Sequence, residues 1–247
     1  MLGSAFRDRK RGPMVFWSLT ALDLAALALF LCCWLGYAPV VGWSSSRHKV
    51  IASARGDHRR AWMFELLGRE VKIADATIIG QIMSTASFFA STTVILIGAL
   101  IGVVATLGHA APPSPAAWLA IGEPSAIEIK LVLVMVVAAF AFQSFTWAIR
   151  QANFAAIAMG AAPPIEELDD DRRRRLADYM ATIITSVGDS YDSGIRSYYF
   201  ALAAVTWVVS PILMILATVG VVAVMLHRLT HSRTAVALDD IARVRAG

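Results

Sequence analysis

The sequence predicts an all-α membrane protein: a polytopic helix bundle with four transmembrane helices and an interfacial helix in the first loop. Three observations carry this reading. The 247 residues are 57% hydrophobic and only 16% charged, where a soluble domain of this length carries about a quarter charged residues. Mean hydropathy is +0.63. The apolar residues also fall in unbroken runs of about twenty, which a soluble core does not need and a bilayer core demands.

The chain reads as a single membrane domain over residues 1–247, with spans at about 14–37, 86–108, 127–149 and 198–226. Each is long enough to cross about 30 Å of hydrocarbon at a helical rise of 1.5 Å per residue. Arg7, Arg9, Lys10 and Arg11 before the first run imitate a signal peptide. The run itself exceeds the usual length of about 7–15 residues and no small-x-small site closes it, so a retained helix is expected. Cys32 and Cys33 lie inside this run and read as small packed apolar residues. The large Phe30 and Leu31 argue against lipidation at Cys32. Within the first loop, residues 61–76 are apolar at one end and charged at the other. They suggest a helix lying on the membrane and running into the second span, or a soluble helix packed on the loops. Residues 109–126, with Pro112, Pro113 and Pro115, read as a short ordered turn. Residues 161–175 read as a break followed by a solvated, charged lead into a helix. Pro211 is expected to kink the last span, which neighbouring helices tolerate.

Lysine and arginine positions set the orientation. The tail has four, loop 38–85 has seven, the second loop none, loop 150–197 six and the C-terminal tail four. With loops 38–85 and 150–197 in the cytoplasm, thirteen basic residues lie inside against eight outside. The net charge of +4 suits loops facing anionic lipid. Basic residues that flank apolar spans, instead of forming one patch, exclude nucleic-acid binding as the reading.

Polar residues at membrane depth are the candidate site. Asp23 lies nine residues into the first span, near the midplane, where an acid is protonated, paired or wet. Ser84, Ser87, Ser91, Gly98 and Gly102 share one face of the second span and read first as a helix-packing seam, second as a hydroxyl-lined path. At the end of the third span Gln143, Thr146, Arg150 and Asn153 follow spacings of three, four and three. Asp189, Asp192, Arg196 and Tyr199 repeat that rhythm before the fourth. Asp75 and Gln81 fall on the same side, so an ion-paired network joining Arg150 and Arg196 to these acids is expected. It would lock the bundle or line a vestibule.

His227 and His231 are four residues apart, but no third ligand stands near them, so no metal is assigned. His48, His58 and His109 fall in loops. The chain has no H-E-x-x-H, C-x-x-C, P-loop or G-x-S-x-G motif. No cofactor or catalytic residue is expected.

Asp23 with Phe30–Tyr37 (FLCCWLGY), Arg60-x-Trp62-Met63, Ser87–Thr93 (SFFASTT), Ala141–Phe154 (AFQSFTWAIRQANF) and Gly194–Trp207 (GIRSYYFALAAVTW) together resemble the multipass membrane family called domain of unknown function 599. The resemblance implies a four-span membrane protein and carries no activity with it. Three functions compete. The foremost is a homo-oligomeric channel or small-solute transporter in the cell inner membrane, since four spans alone rarely enclose a pathway. The second is a non-catalytic accessory or assembly subunit of a larger membrane complex. The last is an enzyme acting on a lipid or quinone. The expected partners are the bilayer, a second copy, and under the second reading that larger complex.

Overall fold

The computed structural model describes residues 19–44, 46–108, 126–230, 237 and 241. The basic tail before residue 19, the proline-rich connector and His231 lie outside this set. Among the described residues the fold is all-α, as the sequence predicts, with six helices: α1 (Ala21–Ser44), α2 (Ser46–Leu67), α3 (Ile73–Gly108), α4 (Ala126–Gly160), α5 (Asp170–Val205) and α6 (Pro211–Thr230).

Local chemistry sets the helix ends. At the start of α1 the Asp23 amide donates to Thr20 Oγ1 at 3.1 Å, and the Thr20 amide donates to Asp23 Oδ2 at 3.0 Å. This reciprocal pairing satisfies donors that have no partner in the first turn. At the end of α2 the amides of Gly68 and Arg69 reach back three residues, to Glu65 and Leu66. The Arg173 guanidinium from α5 donates to the Phe64 carbonyl at 2.9 Å and lies 3.9 Å from the Phe64 ring centroid. A continuous helix over 61–76 is therefore not what forms. The chain breaks at Gly68, and Arg173 caps the break, because the last carbonyls of α2 need donors that a following turn would otherwise supply. The first half of that segment is the end of α2 and packs on α5 through Met63, Leu66 and Leu67.

Asp169 caps α5, accepting the Arg172 amide at 2.7 Å as an N-cap residue should. At the other end of α5 the helix tightens into a 3-10 turn at Thr206–Val208, and the Val209 and Ser210 amides both bond to the Thr206 carbonyl. Pro211 then opens α6, a first-turn position where its missing N–H costs nothing.

This break corrects the single kinked helix expected over 198–226. Arg228 Nη1 in α6 is 3.5 Å from Tyr199 Oη in α5. In one continuous helix, residues 29 apart would be about 43 Å apart. The chain reverses at Ser210, and α6 runs back along α5. Two elements cause the reversal together: the amides that spend themselves on Thr206, and a proline that donates none.

The helices form a bundle in which α3 and α5 flank α4, α2 packs on α5, and α1 pairs with α6. Three cores stack along it. At the basic end, Met63, Leu66, Ile79, Ala155, Met159, Met180 and Ile184 join α2, α3, α4 and α5. In the middle, Ala86, Ala90, Ala141 and Phe145 are surrounded by Phe89, Tyr191 and Tyr198. At the far end, Ala26, Phe30, Val134, Phe200, Trp207 and Met214 join α1, α4, α5 and α6.

Three helices are long and apolar enough to cross a membrane: 73–107, 126–160 and 211–228. Residues 21–37 form a shorter apolar helix. Outward-facing Phe88, Ile95, Ile101, Leu202, Leu216 and Val219 put large apolar side chains where a soluble protein would place polar ones. At 35 residues, α4 is about 52 Å long and exceeds a 30 Å hydrocarbon core by about 20 Å. The basic-end core packs on the last turns of α4, through Ala152, Ala155 and Met159.

Candidate functional site

Among the polar residues of the bundle are two closed clusters and an open groove between α4 and α5.

The first closed cluster is at the far end. Asp23 is 6% exposed; its Oδ1 accepts Trp207 Nε1 at 2.8 Å and stands 3.3 Å from Lys130 Nζ. The Thr20 hydroxyl donates to Oδ2 at 2.7 Å. Lys130 Nζ also lies 5.6 Å from the Trp207 ring. The first turn of α1, the second turn of α4 and the α5–α6 turn thus meet on one carboxylate. Asp23 sits in the first turn of α1, which begins at Ala21, whereas the sequence places it nine residues into a span. Its charge is neutralised by a lysine that the sequence reading passed over. The charge of Lys130 in the apolar run of α4 was the available signal.

The second closed cluster is at the basic end. Asp75, 0% exposed, accepts Trp62 Nε1 at 2.7 Å and pairs with Arg69 Nη1 at 2.7 Å, both on Oδ1. Its Oδ2 has no partner among the described residues. The partners of Asp75 are therefore close in sequence, across the Gly68 break, and neither Arg150 nor Arg196 reaches it.

The expected network around Arg150 does not assemble. Among the described residues Arg150 is exposed and lies over its own helix's aromatics, 5.5 Å from Trp147 and 5.9 Å from Phe154. Asn153 and Thr146 are exposed beside it, with the Thr146 hydroxyl donating to the Phe142 carbonyl at 2.8 Å. Arg196 is half-buried and interacts electrostatically with Asp192 and Tyr37. Tyr199 faces outward toward Arg228.

The open groove lies between α4 and α5. Gln143, Ser144 and Trp147 face Asp189, Ser190 and Ser193 across a shallow cavity of about 340 Å³. Of the residues named in advance, this brings Gln143 and Asp189 together and leaves Asp23, Asp75, Arg150 and Arg196 outside the lining. Neither Gln143 nor Asp189 has a hydrogen bond or ion pair among the described residues. The groove exists because Gly194 lets α5 approach α4: Phe145 covers it so closely that a Cβ there would lie 2.7 Å from the ring.

Among the described residues, nothing covers the small-residue face of α3. Ser84, Ser87 and Ser91 are exposed, and nothing lies within 4 Å of a Cβ built on Gly98 or Gly102. Among the described residues no three histidine, cysteine or acidic side chains gather to hold a metal.

Long apolar helices with outward-facing large side chains, and charges paired off at their ends, define a multi-pass membrane protein. The chain belongs to the family described as Protein of unknown function, DUF599, whose profile matches residues 25–234. No curated protein and no solved structure matches it significantly.

Proposed function

We propose that this chain assembles with further copies of itself into a small-solute channel or transporter, with the outer face of α4 and the α4–α5 groove along the solute path. The observation that carries the reading is Gln143. It is exposed just after the unbroken apolar stretch 131–142 of α4, about 24 Å from Ile127 along the axis, and has no partner among the described residues. An amide left to lipid without a hydrogen bond costs several kcal/mol, so it requires water or another subunit. Thr146, Arg150 and Asn153 continue the same face. Ser84, Ser87, Ser91, Gly98 and Gly102 offer a close-packing surface for the second copy.

The reading places four apolar helices, α1, α3, α4 and α6, across the bilayer, with the C-terminal part of α5 returning the chain between them. Loops 38–85 and 150–197 then lie in the cytoplasm. Because α6 folds back, Arg228 joins them on that side. This strengthens the positive-inside bias over a last span made of one helix.

The test is flux from proteoliposomes. Passage of small ions or amines above that of empty vesicles, lowered by Gln143→Leu, supports the proposal; no passage for either form contradicts it. A second reading has the same exposed α3 and α4 faces docking on a different membrane protein, with this chain as its accessory subunit. Purification from native membranes with a stoichiometric companion favours that one.

A further inference from the structure

We infer that the α4–α5 groove is a binding site for a primary ammonium group, carried by a lipid headgroup or by a free amine. This names a ligand for part of the path proposed above, but it rests on the groove's chemistry and holds whether or not the assembly conducts.

The argument is a count of donors and acceptors. The Ser144 hydroxyl spends its proton on the Phe140 carbonyl at 2.9 Å, and the Ser190 hydroxyl on the Ser186 carbonyl at 2.8 Å. Each keeps only acceptor lone pairs for the groove. Asp189 is exposed, has no hydrogen bond or ion pair among the described residues, and supplies an acceptor with full negative charge. The Gln143 carbonyl adds another acceptor. Trp147 supplies an aromatic wall, and aromatic faces attract cations. A ligand that answers this set is positively charged and carries several N–H donors. A quaternary ammonium satisfies the charge and the ring but leaves the serine and carboxylate acceptors without donors. The groove therefore selects primary over quaternary amines.

Arg150 fixes what adjoins the ammonium. Its guanidinium stands 5.5 Å from Trp147 and makes no ion pair among the described residues, so an anion attached to the amine would find it one helical turn away. An aminoalkyl phosphate meets both ends. The position suits a headgroup, since Trp and Arg near a span's end occupy the interfacial zone.

Native mass spectrometry of the purified protein with equal phosphatidylethanolamine and phosphatidylcholine of matched acyl chains tests the lipid source. Calorimetric titration with 2-aminoethyl phosphate and with phosphocholine tests the free one. Expected is preferential binding of the primary amine in at least one arm, weakened about tenfold by Asp189→Asn, in line with the strength of charged hydrogen bonds. Glu166→Gln, in the exposed 3-10 turn Ile165–Glu167 and outside the groove lining, leaves the preference intact. Asp189 is exposed, so the variant keeps its fold, and an unchanged melting temperature confirms that. Preference in the first arm identifies the lipid, preference in the second alone a free amine. Equal binding of primary and quaternary forms in both arms, or a preference that survives Asp189→Asn, overturns the inference. Flux without such binding would leave the transport reading standing and remove this one.

Discussion

Phe145 of α4 lies against the backbone of Gly194 of α5, so close that a side-chain carbon on Gly194 would stand 2.7 Å from the ring. Phe145 is 0% exposed and stacks on Phe89 of α3, with ring centroids 5.3 Å apart. One aromatic ring therefore spaces three helices. Any side chain at 194 has to displace the ring and, through it, α3. Gly194→Ala is expected to cost about 1–3 kcal/mol by overpacking, and Phe145→Ala about 3–5 kcal/mol by leaving a cavity. Since the two share one contact, the double variant should cost less than the sum. Thermal unfolding in detergent of the three variants measures this.

The Asp23–Lys130 pair is buried, and one partner without the other leaves a charge with nothing to answer it. Asp23→Asn or Lys130→Met alone is expected to destabilise by about 3–5 kcal/mol. Combining them should recover most of that loss. A double variant as unstable as the worse single one would show that the Trp207 and Thr20 hydrogen bonds carry the cluster, with the ion pair incidental.

Asp75 holds the Gly68 break through Trp62 and Arg69. Trp62→Phe keeps the ring and deletes the 2.7 Å bond; a loss of about 1–3 kcal/mol is expected from a buried hydrogen bond to a charged acceptor. The readout is local as well as global. Amide hydrogen exchange at residues 62–76 should accelerate more than in the far-end core, because the bond joins α2 to α3 only there.

On α3, bulky residues at the open glycines separate packing inside the chain from packing between chains. With nothing within 4 Å of either position, Gly98→Ile with Gly102→Ile should leave the melting temperature of the monomer nearly unchanged. The same change should lower self-association, read as the oligomer mass in nanodiscs. A large loss of monomer stability would place that face inside the subunit.

Part of this was written in the sequence. Apolar run length marks α3 and α4, because the bilayer imposes a length that no local preference hides, while the first run gives only the shorter apolar helix 21–37. The loop basic residues mark one end for the same reason. The α5–α6 reversal was not legible. Residues 198–226 carry no charge, and Pro211 fits a kink and a new helix start equally well; the 3-10 turn at Thr206–Val208 and the Tyr199–Arg228 contact separate them. Asp23 stands out by its charge, but its place in the first turn of α1, paired with Thr20, is hidden because the apolar run reads as starting several residues earlier. Its partner Lys130 is more than a hundred residues away; the charge is visible in the α4 run, but nothing local says which acid it meets. The groove was half visible: Gln143 and Asp189 stood out by polarity, but Ser144, Ser190 and Ser193 are ordinary helix residues until α5 is laid on α4 at Gly194. The Arg150 network failed because a guanidinium beside Trp147 and Phe154 finds an aromatic partner on its own helix before it finds an acid elsewhere.

The most direct measurement is thiol accessibility along α4 in intact membranes. With Cys32 and Cys33 replaced by alanine, single cysteines at 136, 140, 143 and 150 are exposed in turn to a charged, membrane-impermeant thiol reagent. The account predicts fast labelling at 143 and 150, where the polar face meets water, and little at 136 and 140, which are exposed to lipid. Labelling at 143 no faster than at 136 would mean that Gln143 is solvated by hydrocarbon or sealed by protein, and the polar path would be gone.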